Sequence, residues 1–260
     1  MQRTEAISVG CYIDASPEIA KGAGAATRRI NGVICLAAKN IDEPFLNRGL
    51  GVGTVTEATP RLLDRIERFY ESIGKPPRLA IAEGFVPRAQ MRLLERRGYA
   101  PVKNSAALIY VYNRRIPPVV PRVEGLTIER VRPDLAKVYS RTGFESFSER
   151  GPQFVPVIEA LVRSRRRWLR AFLGRIDGEP AATGILFDVR PIGGLGNGSV
   201  RPAFRGRGLQ KALIAHRIRD GWERGYRVFF GETENPVSAH NMESVGWRKL
   251  YDEVDWERRT

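Results

Sequence analysis

A chain of 260 residues, 42% of them hydrophobic, is long enough to bury a full core in one large or two small domains. No apolar run approaches the ~20 residues of a membrane helix, and two cysteines with two unclustered histidines exclude a disulfide framework and zinc-type ligand spacing. The net charge of +14 is spread, Lys and Arg exceeding Asp and Glu by 18 to 11 in residues 1–120 and by 25 to 18 in 121–260, whereas nucleic-acid binders gather charge on one face or arm.

The first 15 residues hold no basic region followed by an apolar segment, so no secretory leader is expected. Cys11 and Cys35 then read as reduced thiols of a cytoplasmic protein with no membrane partner and no metal. Ser16 before Pro17 marks a helix start, and residues 32–38 have the apolar content of a buried strand. Asn47-Arg48-Gly49-Leu50-Gly51-Val52-Gly53 looks like a phosphate loop, but no helix follows it directly, and its glycines suit a strand bulge. Thr59 and Pro60 supply an N-cap and a first-turn proline for a helix over 61–73, whose inward face is Leu62, Leu63, Ile66, Phe69 and Tyr70. A strand over 78–82, a helix over 87–97 with Met91, Leu93 and Leu94 inward, a closing Gly98-Tyr99 pair and a strand over 105–112 complete the first half.

Pro117, Pro118 and Pro121 favour extended backbone and break helix and sheet pairing, so a linker over 117–124 is expected between domains at 1–116 and 125–260. The second domain opens with a strand over 126–131 and helices over 133–141 and 154–165. The run Arg163-Ser164-Arg165-Arg166-Arg167 reads as a solvated helix end, which leaves nucleic acid without a docking face. Strands over 168–176 and 180–188 are joined by Asp177-Gly178, a two-residue hairpin signal. The next strand carries glycines at 193, 194, 196 and 198, which permit close approach to its backbone.

After that strand comes Val200-Arg201-Pro202-Ala203-Phe204-Arg205-Gly206-Arg207-Gly208, then a helix with Leu209, Leu213 and Ile214 on its apolar side. Glycines let successive N–H groups converge at the mouth of a helix, where the first donors lack intrahelical partners and the dipole is positive. Such a point takes an anion, most naturally a phosphate, and Arg205 and Arg207 add positive charge around it. A strand over 226–230 follows, then Asn235-Pro236-Val237-Ser238-Ala239-His240-Asn241-Met242-Glu243-Ser244-Val245-Gly246-Trp247.

This succession resembles the GNAT superfamily of acyl-coenzyme A N-acyltransferases: V-x-P-x-[FY]-R-G-x-G across strand, turn and helix, then a strand, N-x-x-S-x-x-N and a Gly-aromatic pair. It covers roughly residues 126–256. The resemblance implies an α/β fold, two tandem domains each with a mixed, mostly antiparallel sheet flanked by helices, and acetyl-CoA as co-substrate. It implies direct attack on the thioester by a primary amine of a small-molecule or peptidic acceptor, with the stretch over 143–152 bordering that acceptor. Backbone groups at Ser199 and Val200 would pair with pantetheine, and the amides of Arg205, Gly206, Arg207, Gly208, Leu209 and Gln210 would hold the pyrophosphate. Gln210 stands where a small residue is common, and Asn235, Ser238 and Asn241 carry over as coenzyme-facing. Helix capping is an equal reading of Asn235 and Ser238. The tyrosine that many members place four residues before the Gly-aromatic pair is Met242 here, so a non-catalytic CoA-binding or regulatory module and a different acyl-CoA donor stay open. Glu232, at a strand end, is the first candidate for general base and Glu145 the second. His216 and His240 read as surface or packing histidines.

Laying Gly98 on Gly246, an offset of 148, also superposes 78–82 on 226–230, the helix from Arg61 on the one from Leu209, and Val52 on Val200. The same shift sets Glu57-Ala58-Thr59-Pro60 opposite Arg205-Gly206-Arg207-Gly208. There an acidic side chain repels phosphate and proline removes a donor. A degenerate N-terminal copy without a phosphate loop is therefore expected, serving as scaffold, homodimer surface or one wall of the acceptor cleft.

Overall fold

The structure, a computed structural model, describes residues 2–13, 15–146, 154–164 and 166–259. The first half holds α1 (Gln2–Ile13), α2 (Pro17–Ala23), β1 (Arg28–Ile30), β2 (Val33–Cys35), β3 (Gly49–Leu50), α3 (Pro60–Ser72), β4 (Arg78–Ala82), α4 (Arg88–Arg96), β5 (Tyr99–Pro101) and β6 (Ala107–Tyr112). The second holds β7 (Leu126–Arg130), α5 (Ala136–Ser146), α6 (Phe154–Arg163), β8 (Leu169–Ile176), β9 (Glu179–Val189), β10 (Ile192–Val200), α7 (Leu209–Glu223), β11 (Phe229–Thr233), α8 (Pro236–Ser244) and β12 (Arg248–Arg258). The fold is mixed α/β with mostly antiparallel pairing. Among the described pairs only β3–β4 and β10–β11 run parallel, and each is bridged by one helix, α3 or α7. No helix among the described residues is long and apolar enough to cross a membrane.

The chain forms two compact units, Met1–Ile109 with Tyr251–Thr260, and Tyr110–Leu250. This differs from the expected division at 116 and 125 because the last strand joins the first unit. In β12, Glu253 to Glu257 pair antiparallel with Ala82 to Arg78 of β4, and Trp256 to Arg258 pair with β5. Unit 1 thus has the strand order β1-β2-β3-β4-β12. Its core gathers the whole predicted face of α3, Leu62, Leu63, Ile66, Phe69 and Tyr70, against Leu79 and Ile81 of β4, with Leu94 and Tyr99. Met91 and Leu93 are half-buried at its margin. Cys35 is in that core, where burial pushes its thiol up to about 12 and keeps it inert. The side chain of Cys11 lies outside the described residues. Ser16 caps α2 as expected, accepting from the Ile19 amide at 3.2 Å. The glycines after β3 make a tight turn rather than a bulge: Gly51 and Gly53 have φ of +106° and +78°, and the Val55 amide donates to Gly51 O at 2.9 Å.

Unit 2 has the order β11-β10-β9-β8-β7. The Asp177-Gly178 hairpin forms with φ of +50° and +86°, the left-handed pair that a two-residue turn requires. Residues 113–125 carry no helix or strand, in keeping with their prolines. The strand expected at 226–230 starts later, as β11, because pairing with β10 begins at Phe229 opposite Gly193. Elsewhere the offset of 148 holds: α4 and α8 coincide end to end, and Gly98 and Gly246 both take positive φ, +83° and +100°. The basic run is locally engaged, Arg163 with Glu159 at 2.8 Å and Arg166 over the Trp168 ring, while Arg165 lies outside the described residues.

Candidate functional site

Pro202 to Phe204 make a single 3-10 turn after β10, closed by Arg205 N–H to Pro202 O at 3.2 Å. The chain then reverses through Gly206 and Gly208, with φ of +78° and +83°, into the 15-residue α7. The next backbone bond on this path is Ala212 N–H to Gly208 O, at 3.0 Å. The amides of Gly206, Arg207, Gly208, Leu209, Gln210 and Lys211 therefore have no acceptor among the described residues, six donors at the positive end of a helix. A Cβ added at Gly206 would meet nothing within 4 Å, so the turn is open at that residue, while a Cβ at Gly208 would meet Val123 at 3.7 Å. Arg205 braces the turn, its guanidinium reaching Ser146 O at 3.0 Å and Val200 O at 3.3 Å. Arg207 and Arg201 lie over the Phe204 ring at 5.7 and 5.5 Å.

Three of the predicted coenzyme residues come together beside the turn. The Gln210 amide donates to Ser238 Oγ at 2.8 Å and accepts from Asn241 Nδ2 at 2.6 Å, tying the first turn of α7 to α8. The bulk of Gln210 thus points at α8 and away from the free amides. Asn235 is a helix cap, accepting from the Val237 and Ser238 amides at 2.8 and 3.2 Å, so its side chain is engaged within α8.

The edge of β10 is shaped by a bulge. Pairing with β9 breaks between Gly196 and Ser199, and pairing with β11 ends at Leu195 opposite Gly231. Past that point β10 has no register with β11, although Ser199 is 6% exposed and Val200 half-buried. Ser199 Oγ is bonded to Thr183 Oγ1 at 2.6 Å, so its hydroxyl faces β9. Arg217 of α7, only 3% exposed, holds the bulge from beneath: Nη1 donates to Ile185 O and Gly196 O, both at 3.0 Å, and Nε to Leu213 O at 3.1 Å. Burial without a carboxylate among the described residues brings its guanidinium down to about 10. Gly184 and Gly198 make room for it, since a Cβ at either would stand 2.7 or 3.2 Å from its guanidinium. Tyr139 of α5 is fully buried nearby, its hydroxyl pushed up by burial, an effect opposed by the Arg217 charge and by contacts with Thr183 and Gly184.

Sequence reasoning passed over Arg217, Thr183 and Tyr139. Arg217 did carry a signal: it falls four residues after Leu213 and eight after Leu209, on the apolar stripe of α7. Of the two carboxylates singled out, Glu145 is ion-paired with Arg201 at 2.6 Å, so its side chain is engaged by that guanidinium. Glu232 is exposed on β11, one residue past the last pair with β10. Met242 is buried against Gly231, where a Cβ would lie 2.8 Å from its methyl carbon. His216 packs edge-on to Phe172 at 5.2 Å and is held below its usual pKa by burial, and His240 is exposed on α8. Of the stretch expected to border an acceptor, residues 147–152 lie outside the described residues.

Comparison with known proteins gives these features a family. Residues 124–232 match the model of the acetyltransferase (GNAT) domain. A GCN5-related N-acetyltransferase from Kribbella flavida superposes with a TM-score of 0.65 at 17% identity, covering 96% of each chain. A tandem GNAT protein from the clavulanic acid biosynthesis pathway superposes at 0.61 with 14% identity, over 91% of this chain and 79% of that one. A GCN5-related N-acetyltransferase from Sphaerobacter thermophilus gives 0.58 at 21% identity, over 76% of this chain and 65% of its own length. A search of curated proteins returned no match. The chain carries the GNAT fold, and its segment 124–232 matches the model of the GNAT acetyltransferase domain.

Proposed function

From a GNAT acetyltransferase domain at residues 124–232, we propose that unit 2 transfers an acetyl group from acetyl-CoA to a primary amine of a small-molecule or peptidic acceptor. The observation that carries this reading is the row of six amides from Gly206 to Lys211 without acceptors among the described residues, at the mouth of α7 and open to solvent at Gly206. A diphosphate supplies the oxygens such a row needs. The residues present fit the coenzyme: glycine at both left-handed positions, no carboxylate among the described residues paired with residues 205–211, and a β10 strand whose ladder with β11 ends at Leu195, for an extended arm. The thioester supplies an activated acyl carbon when bound, and the protein's share is position and proton handling.

Alignment falls to β10. Arg217 fixes the bulge by two carbonyls, Ile185 O and Gly196 O, so the strand edge is preset and needs little reordering on binding. Glu232 takes a proton from the acceptor's ammonium to leave the neutral amine that attacks, being the carboxylate next to the end of the β10–β11 ladder, while Glu145 stays with Arg201. Water protonates the departing thiolate, since Met242 has no proton to give. Met242 also supports a second reading, a module that binds the coenzyme without turnover. Thiol release from acetyl-CoA across a panel of amines separates the two. Under the first reading at least one amine gives turnover, and Glu232→Gln lowers kcat by about 100-fold with KM for acetyl-CoA unchanged. Coenzyme binding with no thiol release from any amine would leave only the module.

A further inference from the structure

The geometry points to a second ligand site, in unit 1, that takes a small organic phosphate. A shallow depression of about 310 Å³ lies between β1 and α3, lined by Arg28, Ile30, Arg65, Arg68, Phe69 and Ser72. Its charge follows from how α3 sorts its side chains. The acids Asp64, Glu67 and Glu71 recur at i, i+3 and i+7 and share one flank, where Arg97 takes Asp64 and Glu67 at 2.6 Å and Arg258 takes Glu67 at 2.9 Å and Glu71 at 3.4 Å. Arg65 and Arg68 fall on the other flank, with Ser72 four residues beyond Arg68. Across from them β1 contributes Arg28. None of these three arginines forms an ion pair among the described residues.

Like charges at i and i+3 on a helix repel, and a third guanidinium facing them adds to that cost. A bound dianion relieves it, and guanidinium forks match phosphate oxygens in shape as well as charge. The arginines are also partly placed in advance. Arg28 lies over the Phe69 ring with its guanidinium carbon 5.5 Å from the centroid, and Arg65 donates to Asn31 Oδ1 at 2.6 Å. Ile30 and Phe69, 2% and 6% exposed, floor the depression, a small apolar contact that favours an anion attached to an apolar body over a bare ion. The site is separate in the chain from the turn at 205–211 and does not depend on the acetyltransferase reading.

Calorimetric titration of the full chain with phenyl phosphate at low ionic strength tests the assignment, with inorganic phosphate as the arm that lacks the apolar body. We expect saturable binding that weakens by about tenfold in Arg28→Ala and in Arg68→Ala, both exposed positions, and that is weaker still for inorganic phosphate. Gly208→Glu should leave it unchanged, since that turn lies in the other unit. No saturable binding by the wild type, or wild-type affinity in both arginine variants, overturns the site. Loss in Gly208→Glu alone assigns the binding to the turn. Tighter, steeply salt-dependent binding of a single-stranded RNA, lost in the same arginine variants, would overturn the small ligand in favour of a polyanion face.

Discussion

The two turns that open α3 and α7 occupy the same position in a repeated strand–helix–strand frame, and they treat their backbone donors in opposite ways. Under the offset of 148, Ala58 corresponds to Gly206, and the Ala58 amide is already bonded to Gln90 Oε1 at 2.7 Å. Pro60, opposite Gly208, has no donor. Leu62, opposite Gln210, gives its amide to the Thr59 hydroxyl at 3.2 Å, and Leu63, opposite Lys211, gives its own to Thr59 O at 3.0 Å. Four of six donors are absent or spent in the first turn, and none is bonded among the described residues in the second. The residue opposite Gln90 is Ser238, too short to reach the turn, and it bonds Gln210 instead. The same frame thus makes a sealed helix cap in one half and a turn with open donors in the other. A handful of side chains decides which.

The largest break in that comparison comes from closing the open turn. Gly208 sits at φ +83°, a conformation costing an L-residue about 1 kcal/mol, and a glutamate there would also face the six donors with its own carboxylate. Gly208→Glu should lower coenzyme affinity by more than about 100-fold, through lost donor geometry and like-charge repulsion together. Circular dichroism should stay unchanged. Unchanged affinity by calorimetry would remove the phosphate assignment.

The turn and both long amphipathic elements were legible because their signals are local. Thr59-Pro60, Asp177-Gly178 and the glycines at 206 and 208 each demand a particular backbone geometry. The period of Leu62, Leu63, Ile66 and Phe69 fixes which face of α3 turns inward. What stayed hidden depends on partners far along the chain. The tail 251–258 falls within the expected second domain, yet its ladder partner is β4, some 170 residues earlier, and no local pattern encodes that pairing. Glu145 looked like a free carboxylate until Arg201, 56 residues away in sequence, appeared beside it. Arg217 has a core address on its helix, but its acceptors are carbonyls of two strands, which a side-chain reading does not include.

A smaller effect is expected where the two copies differ in how the turn is tied to the following helix. Gln210→Ala removes both bonds to α8 while leaving its own amide in place, so the donors remain but the first turn of α7 is less firmly held. Coenzyme affinity should fall about fivefold, close to 1 kcal/mol, the scale of one net hydrogen bond. A loss as large as that from Gly208→Glu would mean that the Gln210 side chain contacts the coenzyme, and no loss would make the tie a matter of stability alone.

The smallest expected change in binding is also the sharpest test of the asymmetry. Thr59→Ala deletes the hydroxyl that caps α3 and frees the Leu62 amide, one step towards the open arrangement of the second turn. Three obstacles remain: Pro60 still lacks a donor, Gln90 still occupies the Ala58 amide, and Glu57 still carries its charge. The cap loss should cost about 1 kcal/mol of stability in urea unfolding. Coenzyme affinity should stay within about twofold of wild type, with a single site per chain, because one freed donor is far short of a diphosphate cradle. A tenfold drop in affinity would instead place the first turn in contact with the coenzyme, and the division of labour between the two copies would fall.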